Sequence, residues 1–331
     1  MASKAAAHQL EMWPHFKTHQ SAEVGNWFRE FGVECITVSS LKMARYFAEN
    51  GWQNIHIAFP IWPIQLELEY FKNLNLSFNL ANKEQLNHLQ SLGVKANCFI
   101  ELDADYGRTS LAINNIEGIR QLIGLAANSN VAIKGFYVHN GKNYNYRSTQ
   151  KILESHNQVC ELLSRLKLEL GSHLKTIMGD TPGCSLANSF NGVDAISAGN
   201  FVFYDIMQEH IGSCHSTEQV LELECQVVDQ INAQKWVVHC GSVHLSKDAL
   251  TINNQTIFGK AVARIRDERI PIQNAFLTSL SQEHGILENV GKTTVDVKAG
   301  DRIALQVVHS CLTAACMGGF WINNRYFGQF E

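Results

Sequence analysis

An alternation of short β-rich runs and longer amphipathic stretches constrains the fold of this chain more than any other feature. It covers the first two thirds of the 331 residues, where the amphipathic stretches place apolar residues three and four positions apart, as helices do. Strands that alternate with helices form parallel βαβ units, and eight such units close into a (β/α)8 TIM barrel. The predicted strands are Met12–Phe16, Cys35–Val38, Ile55–Ala58, Leu76–Leu80, Ala96–Leu102, Ala132–Val138, Thr176–Met178 and Ala195–Ala198. The predicted helices are Ala22–Phe31, Leu41–Asn50, Lys83–Leu92, Ile116–Ala127 and Ser148–Leu168.

The pattern changes after about residue 215, where strand-like runs follow one another and no long helical pattern remains. Turn residues such as Asn253-Asn254 separate these runs. We therefore predict a barrel domain over residues 1–215 and a smaller β-rich domain over residues 216–331. The strands predicted for the second domain are Val220–Ile231, Gln234–Cys240, Asn274–Leu280, Ile303–His309 and Gly319–Ile322.

Charge and hydropathy exclude several classes of protein. The net charge is −4 and no run of Lys or Arg occurs, so we expect neither a nucleic acid nor an anionic membrane as a partner. No apolar run approaches the ~20 residues of a membrane span, and the N-terminal residues lack the apolar core of a signal peptide. We therefore expect a cytoplasmic protein whose nine cysteines are reduced thiols, without a Cys-x-x-Cys zinc motif.

Lys17 follows the first predicted strand. In a barrel enzyme the chemistry lies at the carboxyl ends of the strands, so polar residues there are candidate site residues. A lysine that is desolvated at such a position has a lowered pKa and a nucleophilic amine, as Schiff-base chemistry requires. Taken alone, a lysine at a strand end is more often an ordinary surface residue.

Glycine-bearing turns follow two neighbouring predicted strands, at Gly179-Asp180-Thr181 and at Gly199-Asn200. Backbone amides in such turns and at helix N-termini can bind a phosphate. Each turn taken alone is equally typical of an ordinary loop. On another predicted strand, Tyr137 and His139 would project inward together, where they either contact a planar cofactor or simply pack.

His309 and Cys311 are two residues apart in a predicted strand, so both side chains would face the same side. An imidazole and a thiolate can share one zinc ion, with water or substrate completing an open, catalytic type of site. The alternative is an ordinary strand face with a buried cysteine.

Taken together and in this order, the motifs resemble a known family. They are Pro14–His19, Gly107–Thr109, Gly179–Pro182, Ala198–Asp205, Cys240–Ser242, Leu245–Asp248, Gln282–Gly285 and His309–Cys311. The chain resembles the D-serine dehydratase and D-threonine aldolase family of fold-type III pyridoxal-phosphate enzymes over essentially its whole length. The resemblance implies an α/β fold, in which an alanine racemase-like (β/α)8 barrel is followed by a C-terminal antiparallel β domain that carries the metal pair.

The resemblance also implies roles for individual residues. Lys17 matches the lysine that holds pyridoxal 5′-phosphate as an internal aldimine. His309 and Cys311 match the zinc ligands of eukaryotic-type D-serine dehydratases, with Mn²⁺ or another divalent ion as the alternative metal. The remaining implied cofactor contacts comprise the phosphate cradle of Gly179, Thr181, Gly199 and Asn200, and the ring-lining Tyr137 and His139.

The implied activity is dehydration of D-serine or D-threonine to a 2-oxo acid and ammonia by a homodimeric enzyme. Cys311 favours this reaction, because the aldolases more often carry an aspartate there. An aldolase that yields glycine and an aldehyde remains the alternative. A racemase is disfavoured because Ser197 stands where racemases carry an arginine. A non-enzymatic carrier of pyridoxal phosphate is disfavoured by the second domain with its His–Cys pair.

Some positions depart from the family pattern. Relatives carry a strand and most of a helix before the lysine motif, whereas sixteen residues precede Lys17 here, so we expect that first strand to be missing. Asp180 replaces the serine of the usual Gly-Ser-Thr-Pro, and its charge would repel a phosphate unless the side chain points away. Gln20 and Val307 also differ from the usual basic residue and proline. These departures leave a catalytically inactive scaffold as a further alternative.

Overall fold

A computed structural model describes residues 1–265, 268–291 and 297–330, with side chains described outside residues 263–271. The chain divides into two compact units. Unit 1 comprises residues 1–201 together with Phe330, and unit 2 comprises residues 202–329. In the described part of the chain, no helix combines the length and the apolar character needed to cross a bilayer.

Unit 1 is built on a parallel sheet whose main strands follow the order β1-β9-β8-β7-β5-β4-β3-β2. His15, after β1, forms a parallel bridge to Thr37 of β2, and the Phe16 amide donates to the Thr37 carbonyl at 2.8 Å, which closes the ring. The predicted (β/α)8 barrel is therefore confirmed. The strands are β1 (Glu11–Met12), β2 (Cys35–Val38), β3 (Asn54–Pro60), β4 (Asn75–Leu80), β5 (Ala96–Asp103), β6 (Leu111–Ala112, paired with β5), β7 (Val131–Val138), β8 (Lys175–Met178) and β9 (Ala195–Ile196).

Helices alternate with these strands, and several begin at side-chain caps. Ser40, Asn82, Asn115 and Ser148 each accept a hydrogen bond from a first-turn amide, which would otherwise lack a partner. The short helices α1 and α4 were not predicted. The helices are α1 (Ala2–Ala7), α2 (Ala22–Trp27), α3 (Leu41–Glu49), α4 (Gln65–Tyr70), α5 (Lys83–Ser91), α6 (Ile116–Ala126), α7 (Thr149–Leu170) and α8 (Thr181–Leu186), with 3₁₀ turns at Phe28–Phe31, Gly141–Asn145 and Asn200–Val202.

The barrel interior contains an aromatic layer with a histidine in it. Trp13, Phe99 and Tyr137 belong to one buried cluster, contributed by different parts of the strand ring. The fully buried His56 of β3 has its ring centroid 5.2 Å from those of both Phe99 and Tyr137. Alternate residues of each strand point outward to the helices, as Phe136 and Val138 do. The interior is thus a packed core that supports the carboxyl ends of the strands.

Unit 2 is an antiparallel closed barrel with the strand order β10-β11-β16-β15-β14-β17. Its core includes Trp236, whose indole N–H donates to the Val297 carbonyl at 2.9 Å. The predicted antiparallel domain is confirmed, and β18 was predicted with its observed bounds, although β12, β13, β14, β16 and β19 were not predicted. The strands are β10 (Glu222–Asn232), β11 (Lys235–Val238), the hairpin β12 (Leu250–Ile252) and β13 (Gln255–Ile257), β14 (Gly259–Ile265), β15 (Glu268–Leu280), β16 (Gly285–Asn289), β17 (Arg302–Val307) and the hairpin β18 (Gly319–Ile322) and β19 (Arg325–Gly328). The helices are α9 (Ile206–Ile211), α10 (Ser242–Leu245) and α11 (Ser310–Met317).

Candidate active site

Lys17 lies just after β1, with an exposed side chain. Its backbone amide donates to Nδ1 of His15 at 3.5 Å. Burial, with a smaller contribution from the Lys17 charge, depresses the pKa of His15 well below its usual value and that of His139 to about 4. The Lys17 amine therefore lies near two imidazoles, which come from opposite parts of the strand ring and are both neutral at pH 7.

His139, directly after β7, is held by the next strand's loop. Its Nδ1 atom pairs with the Gly179 carbonyl oxygen, so Nδ1 carries the proton and Nε2 stays an acceptor. The Arg108 guanidinium also lowers the pKa of His139, which places a second cation near this ring. Arg108 lies 3.4 Å from the buried Glu101 carboxylate, which accepts a 2.8 Å hydrogen bond from Thr109.

Arg108 was not among the predicted site residues. The polar run at the end of β5 contains Arg108 and could have indicated its role. Internal charge pairing explained that run equally well. The structure shows both: the guanidinium pairs with Glu101 while 49% of its side chain stays exposed. Arg108 therefore keeps donors available for an anionic group.

The glycines of the two predicted phosphate turns lie where backbones approach side chains closely. A Cβ atom at Gly179 would overlap the hydroxyl oxygen of Tyr137, and one at Gly199 would lie 2.8 Å from Oγ1 of Thr18. Asn200 is buried and begins the 3₁₀ turn that follows Gly199. Both positions thus require glycine for close packing at the carboxyl ends of β8 and β9.

Tyr137 lies in the barrel interior below these turns, 3% exposed. Its hydroxyl hydrogen bonds with Ser197, and burial raises its pKa, so it is neutral at pH 7. The Ser197 hydroxyl donates to Thr37 Oγ1 at 2.8 Å, and that hydroxyl donates to the Trp13 carbonyl at 2.9 Å. A chain of hydroxyl groups therefore fixes the Tyr137 ring across the barrel.

Asp180 is the N-cap of α8. Its Oδ2 atom accepts from the Gly183 amide at 2.6 Å and from Nδ2 of Asn143 at 2.8 Å, and burial raises the pKa of the carboxyl. The side chain is thus engaged in capping rather than projecting outward. The adjacent Thr181 is 1% exposed, and within the described residues its Oγ1 has no hydrogen-bond partner, while its amide donates to the Tyr144 hydroxyl at 3.3 Å.

The predicted metal pair lies in unit 2, but the strand that should carry it ends earlier. β17 stops at Val307, His309 is the N-cap of α11, and Cys311 lies in the first helical turn. The prediction that both side chains share a strand face is therefore wrong. A hydrogen bond between the His309 and Cys311 side chains nevertheless brings them together.

His309 is oriented by a carboxylate that sequence reasoning did not select. Its Nδ1 atom lies 2.5 Å from Oδ2 of Asp248, in the segment before β12. Burial lowers the pKa of His309, but the hydrogen bonds to Asp248 and Cys311 outweigh it and raise the value to about 10. Asp205 accepts hydrogen bonds of 3.1 Å from both the amide and the hydroxyl of Ser310, which fixes the start of α11.

The structure brings the predicted residues together in two groups. The unit 1 group lies around Lys17 at the carboxyl ends of the strands, and the unit 2 group is the His309–Cys311 pair. In the part of the chain that the structure describes, one set of three metal-ligand side chains has its ligand atoms within 4.8 Å of one another, and it contains neither residue of that pair.

Comparison with known proteins places the chain in a family. The model of the alanine racemase N-terminal domain matches residues 1–204, and a model described as a putative serine dehydratase domain matches residues 221–322. D-Serine dehydratase of Dictyostelium discoideum is 26% identical, over 98% of this chain and 89% of that protein. D-threo-3-Hydroxyaspartate dehydratase of Delftia sp. strain HT23 is 24% identical, over 95% of this chain and 87% of that protein.

Solved structures share the fold. The Delftia dehydratase superposes with a TM-score of 0.90 at 20% identity, over 99% of this chain and 92% of that one. A cysteine-to-alanine mutant of it, described as a metal-free form, gives a TM-score of 0.89. D-Threonine aldolase from Filomicrobium marinum gives 0.81 at 14% identity, over 99% of this chain and 89% of that one.

The first family model covers more than half of the chain, and the second covers most of unit 2. The chain therefore belongs to the D-serine dehydratase and D-threonine aldolase family of alanine racemase-like, fold-type III pyridoxal-phosphate enzymes, as one of its lyases.

Proposed function

We propose that this enzyme dehydrates a D-3-hydroxy amino acid, with D-serine and D-threonine as substrates, to a 2-oxo acid and ammonia. The observation that carries the proposal is the side-chain pair of His309 and Cys311, with Asp248 on Nδ1 of the imidazole. Elimination must expel a hydroxyl group, which is a poor leaving group, and a metal ion acting as Lewis acid assists that departure. A racemase expels no oxygen and needs no such pair.

The residues of unit 1 fit pyridoxal phosphate. The Thr181 hydroxyl is buried and, among the described residues, lacks a partner, so it can donate to a phosphate oxygen. The capping role of Asp180 keeps its carboxylate engaged with Gly183 and Asn143. We assign to the cofactor a covalent anchor at Lys17, ring contacts at Tyr137 and His139, and a phosphate cradle at Gly179, Thr181, Gly199 and Asn200.

The residues of unit 2 fit a zinc ion. Imidazole and thiolate are ligands that zinc favours over magnesium or calcium. The carboxylate of Asp248 holds Nδ1 of His309, which leaves Nε2 for the metal. Two ligands from the pair leave positions open for water or substrate, as in catalytic sites. Manganese or another divalent ion in place of zinc is an outcome that metal analysis would show.

Bound at these residues, pyridoxal phosphate would supply an electron sink for charge at the α-carbon, and the metal would supply a Lewis acid for the β-oxygen. The Lys17 amine, once the substrate amine has taken its place, would remove the α-proton. His139, fixed through Nδ1 by the Gly179 carbonyl, would present an accepting Nε2. Arg108 would hold an anionic group with its free donors.

The aldolase reaction is the second candidate, since the D-threonine aldolase structure shares the fold. It would cleave the Cα–Cβ bond after deprotonation of the β-hydroxyl and yield glycine and an aldehyde. Cys311 in the pair favours dehydration over this alternative.

We further propose a cytoplasmic homodimer, as the family resemblance implies. No disulfide joins any of the nine cysteines, all of which lie in the described residues, in keeping with a reducing compartment. Light scattering coupled to size-exclusion chromatography tests the assembly: twice the 37.1 kDa chain mass supports it, and the single chain mass contradicts it.

A product assay tests the reaction. The purified enzyme with pyridoxal phosphate is given D-serine, D-threonine, D-threo-3-hydroxyaspartate and their L-isomers, with zinc, with manganese or with a chelator. We expect a 2-oxo acid from the D-isomers and its loss on chelation. An aldehyde without oxo acid would move the assignment to the aldolase, and inverted amino acid alone would identify a racemase.

A further inference from the structure

Three side chains on the surface of unit 2 lie close to one another. They differ from the His309–Cys311 pair in residue type and in sequence position. His239 follows β11, His244 lies in α10, and Glu283 lies in the loop between β15 and β16. Oε2 of Glu283 is 3.8 Å from Nε2 of His239 and 3.9 Å from Nε2 of His244. We propose that these three residues form a second metal site, which binds a divalent transition-metal ion.

The backbone around the three residues is held rigidly. A Cβ atom at Gly241 would overlap the carbonyl oxygen of Gln282, so the two segments are in direct backbone contact. The Ser242 amide donates to the Ser281 carbonyl at 2.9 Å, and the Val243 amide donates to the Gln282 carbonyl at 3.3 Å. The segment with both histidines is therefore fixed to the loop that carries the carboxylate.

The spacing of the ligand atoms suits a metal after a small closure. Zn–N and Zn–O bonds of about 2 Å at tetrahedral angles place ligand atoms about 3.3 Å apart. The two separations from Glu283, 3.8 and 3.9 Å, exceed this by about half an ångström, and all three ligand atoms lie within 4.8 Å of one another. Rotation of the two exposed side chains, His239 and Glu283, can close these gaps. Oε1 of Glu283 is held by Nε2 of Gln282 at 3.5 Å and leaves Oε2 facing both rings.

The ligand atoms of these three side chains favour particular metal ions. Two imidazoles and one carboxylate suit Zn²⁺, Co²⁺, Ni²⁺ or Cu²⁺, whereas Mg²⁺ and Ca²⁺ prefer oxygen ligands alone. The side chains of His239 and Glu283 are 59% and 46% exposed, so water completes the coordination and the ion exchanges with solvent. The set contains no sulfur, which separates it chemically from the His309–Cys311 pair.

One hydrogen bond of the metal-free protein competes with metal binding, and its loss gives metal binding a spectroscopic signature. The Gly241 amide donates to Nδ1 of His244 at 3.1 Å, so the proton of the neutral, metal-free ring sits on Nε2. Coordination through Nε2 moves that proton to Nδ1 and breaks the bond from Gly241. We therefore expect weaker binding than at a preformed zinc site, together with exchange of the ¹⁵N shifts of the two ring nitrogens.

Cobalt titration of the full chain tests the site. Cobalt bound to a thiolate shows an intense near-ultraviolet charge-transfer band, whereas nitrogen and oxygen ligands give only weak visible bands. We expect a class of bound Co²⁺ without the sulfur band. Its affinity should fall at least about tenfold in His239→Ala and in Glu283→Gln, because each removes one ligand of a shared ion.

His284→Ala is the matched control, since His284 lies in the same loop but outside the group. It should bind Co²⁺ as the wild type does, and all three variants should keep the wild-type melting temperature without metal. Equal Co²⁺ affinity in wild type and His239→Ala, or unmoved His244 nitrogen shifts at saturation, would overturn the proposal. The sulfur band reports the His309–Cys311 pair separately, so failure of either site is distinguishable from failure of the other.

Discussion

Oδ2 of Asp248 lies 2.5 Å from Nδ1 of His309, although the two residues are 61 positions apart in the sequence. A carboxylate in this position fixes the tautomer and the orientation of an imidazole, and metal-binding histidines are commonly held this way. The contact therefore sets which ring nitrogen of His309 is available to a metal. This contact supports the metal site that we propose at the His309–Cys311 pair.

Replacing Asp248 should weaken metal binding without removing a ligand. In Asp248→Ala the His309 ring loses its orienting partner, and we expect the metal affinity of the pair to fall about 10- to 100-fold. The height of the sulfur-to-cobalt band against Co²⁺ concentration measures this. Asp229→Ala, an exposed aspartate of the same unit, is the control and should leave the affinity unchanged. Equal affinity in Asp248→Ala and wild type would mean that the contact does not support a metal.

Gly179→Ala should destabilise unit 1. The added methyl would overlap the Tyr137 hydroxyl and approach the Ser197 carbonyl at 3.1 Å, and overpacking of this kind costs about 1–3 kcal/mol. Because the strain falls at the phosphate turn, the affinity for pyridoxal phosphate should fall as well. Urea unfolding and cofactor titration measure the two effects.

Gly124→Ala provides the opposite case for comparison. Gly124 is exposed in α6, and a Cβ atom there would meet nothing within 4 Å. The substitution should stabilise the chain by about 0.5–1 kcal/mol through helix propensity. Loss of stability in Gly124→Ala, or none in Gly179→Ala, would contradict this account of the two positions.

His56 should make stability depend on pH. Burial lowers its pKa to about 3 in the folded chain, so the native ring stays neutral while the unfolded ring takes up a proton near pH 6.5. Folding stability is therefore lost as the pH falls from about 6.5 toward 3, by about 2 kcal/mol between pH 7 and pH 5 for this residue. In His56→Gln the difference in unfolding free energy between these pH values should shrink by that amount. An unchanged difference would show that the ring is charged in the native state.

The barrel could be predicted because its signals are local. β2 was predicted with its observed bounds, Cys35–Val38, because a run this short and rich in β-branched residues favours a buried strand over a helix. α7 was similarly visible as one long amphipathic stretch. In unit 2, α11 was missed because its eight residues, mostly small or apolar, show almost no amphipathic periodicity, and its start depends on Asp205, which lies 105 positions before Ser310.

Part of the candidate site could also be predicted, because some of its residues carry local sequence signals. Lys17 and the glycine turns follow strand ends that the sequence pattern reveals, and the resemblance rests on them. Arg108 and Asp248 lie within motifs that carry the resemblance, but the sequence assigned no role to either, because only the fold brings them close to Glu101 and His309. His239, His244 and Glu283 were not selected either, because they come from two segments of unit 2 that only the fold brings together.

Lys17 is the residue that we propose to hold the cofactor covalently, and one measurement tests this assignment directly. The enzyme is loaded with pyridoxal phosphate, reduced with borohydride, digested, and mapped by mass spectrometry, with Lys17→Ala treated in parallel. We predict a phosphopyridoxyl group on Lys17 in the wild type and none at that peptide in the variant, together with loss of the cofactor absorbance. A modified peptide elsewhere in the chain, or cofactor absorbance that survives in Lys17→Ala, would show that Lys17 does not anchor the cofactor.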